Sequence, residues 1–225
     1  IGRNPNDWED LTRAKAVILI GSNITETNPL TAVRIKEAIR VYKAQVVVID
    51  SAITNIPKLA SHPVLTNPGT EGLVTDGNVK ASLEMDLIDD DSTQKYQSAF
   101  KALKEAMAHI SLEQVAAQTG MPVESLKETA AIFAEAPRSI IVSAQRIVWC
   151  PDGYQNVMKL IDLAWITGKL GRPGCGVNTL TEEPNEQGAV DMGVAPEYLP
   201  GQSSFNDQEA RDRFAKAWGV TLPAA

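Results

Sequence analysis

The chain has 225 residues, 44% hydrophobic and 5% aromatic, and this composition excludes a disordered chain, a mini-protein and a fibre. Its formal net charge of −7, from 21 Lys and Arg against 28 Asp and Glu, gives no basic footprint and argues against a nucleic-acid partner. The longest apolar run is far shorter than the roughly 20 residues of a transmembrane helix, so we expect no direct membrane insertion.

Cysteine and histidine are scarce in this sequence. Cys150 and Cys175 have no CxxC spacing, and the chain has 2 His residues. We therefore expect reduced thiols in an intracellular protein, and no zinc or iron–sulfur site built by this chain. The sequence opens at Ile1 rather than Met, which indicates a piece of a longer protein or a processed product.

Three β-branched runs predict buried strands. They are apolar at consecutive rather than alternate positions, as in strands covered on both faces of a parallel sheet. The runs are residues 16–20, 45–49 and 139–143. Between the first two, residues 31–42 carry an apolar helical stripe, which predicts a βαβ unit with a right-handed crossover.

The rest of the chain is mostly helical in pattern, with one extended candidate at residues 63–68. Ser111 and Gln114 resemble a capping box, and Gly120 could end the short helix that follows. Residues 172–201, rich in Gly and Pro, predict a long ordered loop. The other predicted helices are residues 71–85, 92–110, 123–135, 153–168 and 207–218.

Candidate ligand-binding residues follow the predicted strands, because ligands of open α/β sheets bind beyond the carboxyl ends of the strands. Small polar residues at 21–29 follow the first strand, and Asp50 and Ser51 follow the second. The same residues suit a capped helix start, and Asp50 suits a helix cap or turn, so both readings stay open. Residues 89–91, three consecutive Asp, are read as a solvated loop.

Several ordered motifs carry a family resemblance. They are residues 21–29, Asp50, residues 68–70 (Pro-Gly-Thr), residues 167–178, residues 185–193 and residues 214–220. Together they resemble the molybdopterin oxidoreductase superfamily, with formate dehydrogenase catalytic subunits as the nearest likeness. The resemblance covers nearly the whole chain in one order.

The resemblance implies an α/β fold, a mostly parallel, Rossmann-like sheet with flanking helices. Residues 1–180 would be one domain that binds the guanosine end of a molybdopterin guanine dinucleotide carrying Mo or W. Residues 181–225 would be a loop and helix crossing into a neighbouring α/β domain. By position, the implied cofactor contacts are Gly21, Ser22, Asn23, Glu26, Thr27, Asn28, Asp50, Ser51, Pro68, Gly69, Thr70, Gln187 and Gly188.

The same resemblance implies partners and a location. Iron–sulfur clusters would lie outside this chain. The chain would contact the rest of its own subunit, and also other redox subunits that carry iron–sulfur or flavin centres. The location would be cytoplasmic, with partner subunits offering peripheral attachment to the inner face of the membrane. On its own, the chain is expected to retain little or no cofactor and to be inactive.

The sequence also departs from formate dehydrogenases at three places. Residues 50–52 read Asp-Ser-Ala where Asp-Pro-Arg is usual, so a cation beside the cofactor is expected to be missing. Residues 144–149 also differ from the family pattern. Residues 181–185 contain Glu182 and Glu183 where formate dehydrogenases have an Arg-containing loop. An alternative therefore stays open: a cofactor-free scaffold domain like that in the G subunit of NADH:quinone oxidoreductase.

Overall fold

The computed structural model describes residues 6–52, 60–150, 152–182 and 185–223. The chain forms two compact units, divided after Glu182. The larger unit contains a five-stranded sheet with the strand order β3-β2-β1-β4-β5. Its strands are β1 (Ala16–Ile20), β2 (Gln45–Asp50), β3 (His62–Leu65), β4 (Ser139–Ser143) and β5 (Gly176–Thr179).

All four strand pairings in this sheet are parallel. The predicted α/β fold class is therefore confirmed. The described residues of the larger unit also form ten helices. They are α1 (Trp8–Arg13), α2 (Ile24–Thr27), α3 (Pro29–Tyr42), α4 (Glu71–Glu84), α5 (Asp90–Gln94), α6 (Gln97–Met107), α7 (Leu112–Thr119), α8 (Val123–Glu135), α9 (Gln145–Trp149) and α10 (Gly153–Ile166).

The sheet is buried on both faces, as its unbroken apolar runs predict. Ile18, Ile20 and Ile49 lie in one core cluster, with residues of α4, α7, α8 and α10. Val17 and Leu19 lie in the opposite cluster, with residues of α1 and α3. Alternate side chains of each strand therefore fill two separate layers of core.

The predicted helix over residues 92–110 is wrong in one respect, because the structure has two helices there. Trp165 Nε1 donates to the carbonyl of Ser92 at 3.0 Å, and the Tyr96 amide bonds to Thr93 instead, at 3.1 Å. The Tyr96 ring packs edge-on against the indole of Trp165. A tertiary contact thus breaks the helix at residues 95–96, which periodicity alone could not indicate.

The three Asp residues at 89–91 are not a solvated loop, since Asp89 caps α5 and the other two lie in its first turn. The Asp89 carboxylate accepts from the Ser92 amide at 2.9 Å and from Arg172 at 2.8 Å. Burial by itself would raise the pKa of Asp89, but these hydrogen bonds outweigh it and lower the pKa. Acidic residues at a helix N-terminus are favoured by the helix dipole.

The predicted loop over residues 172–201 is also wrong in part, because it contains β5. This strand has a single large apolar residue, Val177, so its sequence lacks the β-branched run that marks the other central strands. From residue 185 on, the described part of that segment belongs to the smaller unit. That unit contains α11 (Glu186–Asp191), β6 (Tyr198–Leu199), β7 (Ser203–Ser204) and α12 (Gln208–Trp218), with β6 and β7 antiparallel.

The caps predicted around α7 are confirmed. The Ser111 hydroxyl accepts from the Gln114 amide, and Gly120 takes the left-handed conformation that ends the helix. Among the described helices, none has the length and apolar character that a membrane crossing needs.

Candidate functional site at the carboxyl edge of the sheet

The strand register brings the carboxyl ends of the strands to one edge, which we call the carboxyl edge. Ile20 of β1 lies opposite Ile49 of β2 and Ser143 of β4. Asp50, the last residue of β2, and Ser22, two residues beyond β1, are therefore close to the same level. The candidate residues that follow the first two strands converge as the parallel sheet requires.

Gly21 makes the turn that ends β1. Its φ is +60°, a left-handed conformation that favours glycine, and its amide donates to the Ile49 carbonyl at 3.0 Å. A Cβ here would lie 3.6 Å from Ile147, 3.7 Å from Arg146 and 3.8 Å from Glu71. These three side chains close around the glycine, so the site includes α9 and the start of α4.

Asp50 is 1% exposed and ion-paired with Arg146. Its Oδ1 accepts from Arg146 Nη1 at 2.9 Å and from the Ala52 amide at 3.0 Å. Arg146 Nη1 also donates to the Ser51 hydroxyl at 2.8 Å. The expectation that a cation is missing here is corrected: Arg146 of α9 brings one to the residues that follow β2.

Glu71, the first residue of α4, is a site residue that the sequence analysis missed. It is 0% exposed, and neither carboxylate oxygen has a hydrogen-bond partner among the described residues. The N-terminus of α4 favours the negative charge. The available signal was its place directly after the Pro-Gly-Thr motif at residues 68–70.

Further buried polar atoms at the carboxyl edge lack partners among the described residues. Folded proteins normally pair such atoms, because leaving one unpaired costs about 1–3 kcal/mol. A cluster of them at one edge of a sheet is therefore typical of a site built for a polar ligand. Besides the Glu71 oxygens, they are Asp50 Oδ2, Ser22 Oγ, Thr66 Oγ1, Ser143 Oγ and Asn178 Oδ1.

The loop that follows Ser22 is held by its own polar side chains. Asn23 Oδ1 accepts from the Thr25 hydroxyl at 3.0 Å, and the Thr27 hydroxyl donates to Asn28 Oδ1 at 2.9 Å. Asn28 Nδ2 donates to the Thr181 carbonyl at 2.9 Å, which ties the loop to the segment after β5. These side chains shape the loop, whereas Glu26 is exposed.

Three of the remaining predicted site residues directly precede Glu71, and two lie in the other unit. Pro68 and Gly69 are exposed in the turn before α4, and the Thr70 hydroxyl donates to the Asn67 carbonyl at 2.7 Å. Gln187 and Gly188 lie in α11 of the smaller unit.

Cys150, at the end of α9, is a free thiol close to the site. Burial raises its pKa, and the charge of Glu71 raises it further. The thiol is therefore held protonated and donates to the Arg146 carbonyl at 3.2 Å. Within the described ranges, no three His, Cys, Asp or Glu side chains form a group that could hold a metal ion.

The parallel sheet and its polar carboxyl edge place the larger unit in the α/β class that binds ligands beyond its strand ends. The sequence matches the family model described as molybdopterin oxidoreductase over residues 4–217. The chain belongs to the molybdopterin oxidoreductase family. The family likeness read from the sequence motifs is confirmed.

Relatives of this chain include subunits of two different enzymes. It is 30% identical to the assimilatory nitrate reductase catalytic subunit of Bacillus subtilis, covering 96% of this chain and 30% of that protein. It is 32% identical to the F420-dependent formate dehydrogenase subunit alpha of Methanocaldococcus jannaschii, covering 99% of this chain and 34% of that protein. The chain thus spans about a third of the length of these curated relatives.

A solved structure shares the fold. Acetylene hydratase from Pelobacter acetylenicus aligns with a TM-score of 0.66 at 20% identity, over 72% of this chain and 22% of that chain.

Proposed function

We propose that this chain supplies the dinucleotide-binding region of a molybdenum or tungsten oxidoreductase related to formate dehydrogenase. The bound group would be a molybdopterin guanine dinucleotide, held at the carboxyl edge by its nucleotide end. The observation that carries the proposal is the cluster of buried polar atoms there that have no hydrogen-bond partner among the described residues, headed by Asp50 Oδ2 and both oxygens of Glu71.

The chemistry of these atoms suits a guanine nucleotide. Carboxylate oxygens only accept hydrogen bonds, and guanine and ribose offer N–H and O–H donors. The Ser22 hydroxyl can donate or accept a hydrogen bond. The set of acceptors, hydroxyls and one cation, Arg146, matches what a nucleotide presents.

When bound, the metal–pterin group would supply the two-electron redox chemistry, and the protein would supply binding and electrostatics. In this proposal Asp50 and Glu71 would bind and orient the nucleotide. Electrons would pass to iron–sulfur clusters outside this chain, in the rest of its subunit and in partner redox subunits in the cytoplasm.

Titration with GDP tests the nucleotide site. The chain on its own is expected to retain little or no whole cofactor, but the nucleotide end alone should still bind weakly when supplied in excess. We therefore expect saturable binding of GDP to the chain at millimolar concentrations, detected by calorimetry, and weaker binding of ADP. Asp50→Asn and Glu71→Gln should each weaken GDP binding about tenfold, since each alters a hydrogen bond to a charged group. Glu37→Gln, on the exposed side of α3, is the matched control and should leave GDP binding unchanged.

An absence of saturable GDP binding would contradict the proposal and favour the cofactor-free scaffold. Metal and pterin analysis of the complete subunit that carries this chain gives a second test. Molybdenum or tungsten in stoichiometric amount, with a guanine nucleotide released on denaturation, is the expected result.

A further inference from the structure

The Arg146 guanidinium is only partly used by the protein. Nη1 donates to Asp50 Oδ1 and to the Ser51 hydroxyl, whereas Nε and Nη2 make no hydrogen bond to any described residue. The Arg146 side chain is 41% exposed, whereas the side chain of its partner Asp50 is 2% exposed. One side of the guanidinium is therefore fixed and the other is free to donate.

Arg146 lies beside the ends of β1 and β2. Its Cβ lies beside Gly21, the residue that opens the loop after β1, and its Nη1 reaches the residues that follow β2. The side chain thus spans the gap between the ends of two neighbouring strands. A ligand crossing the carboxyl edge between β1 and β2 would meet it.

The charges around Arg146 make its role specific. Asp50 and Glu71 are buried carboxylates at the same edge, and Arg146 is the cation placed beside them in the described part of the chain. Without a cation, the two carboxylates would repel an anionic ligand. A guanidinium fixed by a carboxylate on one side remains a strong donor to phosphate on the other.

We propose that Arg146 anchors the phosphates of the bound dinucleotide. Residues 51–52, which follow β2, are Ser and Ala and provide no cation for this role. This inference rests on the proposed function and adds to it a residue on α9 outside the strand-end motifs. Arg146 would donate to phosphate through Nε and Nη2.

The test compares GDP with guanosine, which lacks the phosphates. For Arg146→Gln we expect GDP binding to weaken about 10- to 100-fold, because a charge-assisted contact to phosphate is lost and two carboxylates remain. Guanosine binding should change less than threefold. Arg146→Lys keeps the charge but not the planar guanidinium, so its affinity for GDP should lie between those of the unchanged chain and of Arg146→Gln.

Arg34→Gln is the matched control, since the Arg34 side chain is 47% exposed and pairs with Glu37 on α3. It makes the same charge change away from the carboxyl edge, so GDP binding should stay unchanged. Circular dichroism and a thermal melt establish that each variant is folded.

The outcomes separate the inference from the proposed function. If the unchanged chain binds neither GDP nor guanosine, the proposed function fails and this inference fails with it. A second outcome is that the unchanged chain binds GDP, and Arg146→Gln weakens the binding of GDP and of guanosine equally or weakens neither. In that case Arg146 is not the phosphate anchor, and the proposed function stands. An Arg146→Gln variant that is unfolded is replaced by Arg146→Lys, for which an unchanged preference for GDP over guanosine overturns the inference.

Discussion

Gly72, the second residue of α4, permits close packing of α4 against α10. A Cβ at this position would lie 1.9 Å from Asn156 Oδ1 and 2.7 Å from Asn156 Cγ. Asn156 is 6% exposed, so its side chain has little room to move. The contact matters for the site because Glu71 is the neighbouring residue, and a shift of α4 would move it.

Two opposing effects set the size of the change for Gly72→Ala. Overpacking a buried contact typically costs about 1–3 kcal/mol. Alanine in a helix gains about 1 kcal/mol over glycine. We therefore expect Gly72→Ala to lower the free energy of unfolding by up to about 2 kcal/mol. In an Asn156→Ala background the clash is absent, and the same substitution should be neutral or stabilising by up to about 1 kcal/mol.

Urea denaturation of the four proteins in this double-mutant cycle measures the effect, provided that the slopes agree and unfolding is two-state. We expect a coupling energy of about 1–3 kcal/mol between positions 72 and 156. Equal destabilisation by Gly72→Ala in both backgrounds would refute it, because the cost would then have a source other than Asn156.

Further predictions concern ion pairs and caps. Lys159 lies 2.6 Å from the buried Asp76 carboxylate, so Lys159→Met should cost about 1–3 kcal/mol at neutral pH, measured by urea denaturation. Burial raises the pKa of Asp162, and the charge of Asp76 raises it further. Because a raised carboxyl pKa destabilises the folded state as the pH rises through that pKa, Asp162→Asn should stabilise the protein at pH 7 but not below pH 4. An equal effect of the substitution at both pH values would contradict this. Ser111→Ala, which removes a helix cap, should cost about 1 kcal/mol, and a thermal melt unchanged by it would count against the cap. Gly120→Ala, at φ +76°, should cost about 1–2 kcal/mol by the same melt, with no loss expected if the helix ended without a left-handed residue.

The central strands could be predicted because their signal is local. Strands β1, β2 and β4 are β-branched runs, and burial on both faces requires that pattern. β5 has no such run and depends on pairing with β4, so its sequence alone did not indicate a strand. The break at Tyr96 similarly depends on Trp165, a residue distant in sequence.

The candidate site was predictable only where it follows a strand directly. Gly21, Ser22 and Asp50 stand at strand ends, so a parallel sheet brings them together. Glu71 and Arg146 belong to helices whose placement depends on packing, and no motif links either residue to Asp50. The ion pair between Asp50 and Arg146 joins residues 96 positions apart, which neither composition nor spacing reveals.

Nuclear magnetic resonance of the isotope-labelled chain during a GDP titration tests the central claim most directly. The account predicts saturable changes of the amide resonances at residues 21–23, at Asp50 and Ser51, and at Glu71, with smaller changes elsewhere. Changes confined to a helix of the larger unit away from the carboxyl edge, such as α6, or no saturable change at millimolar GDP, would contradict it.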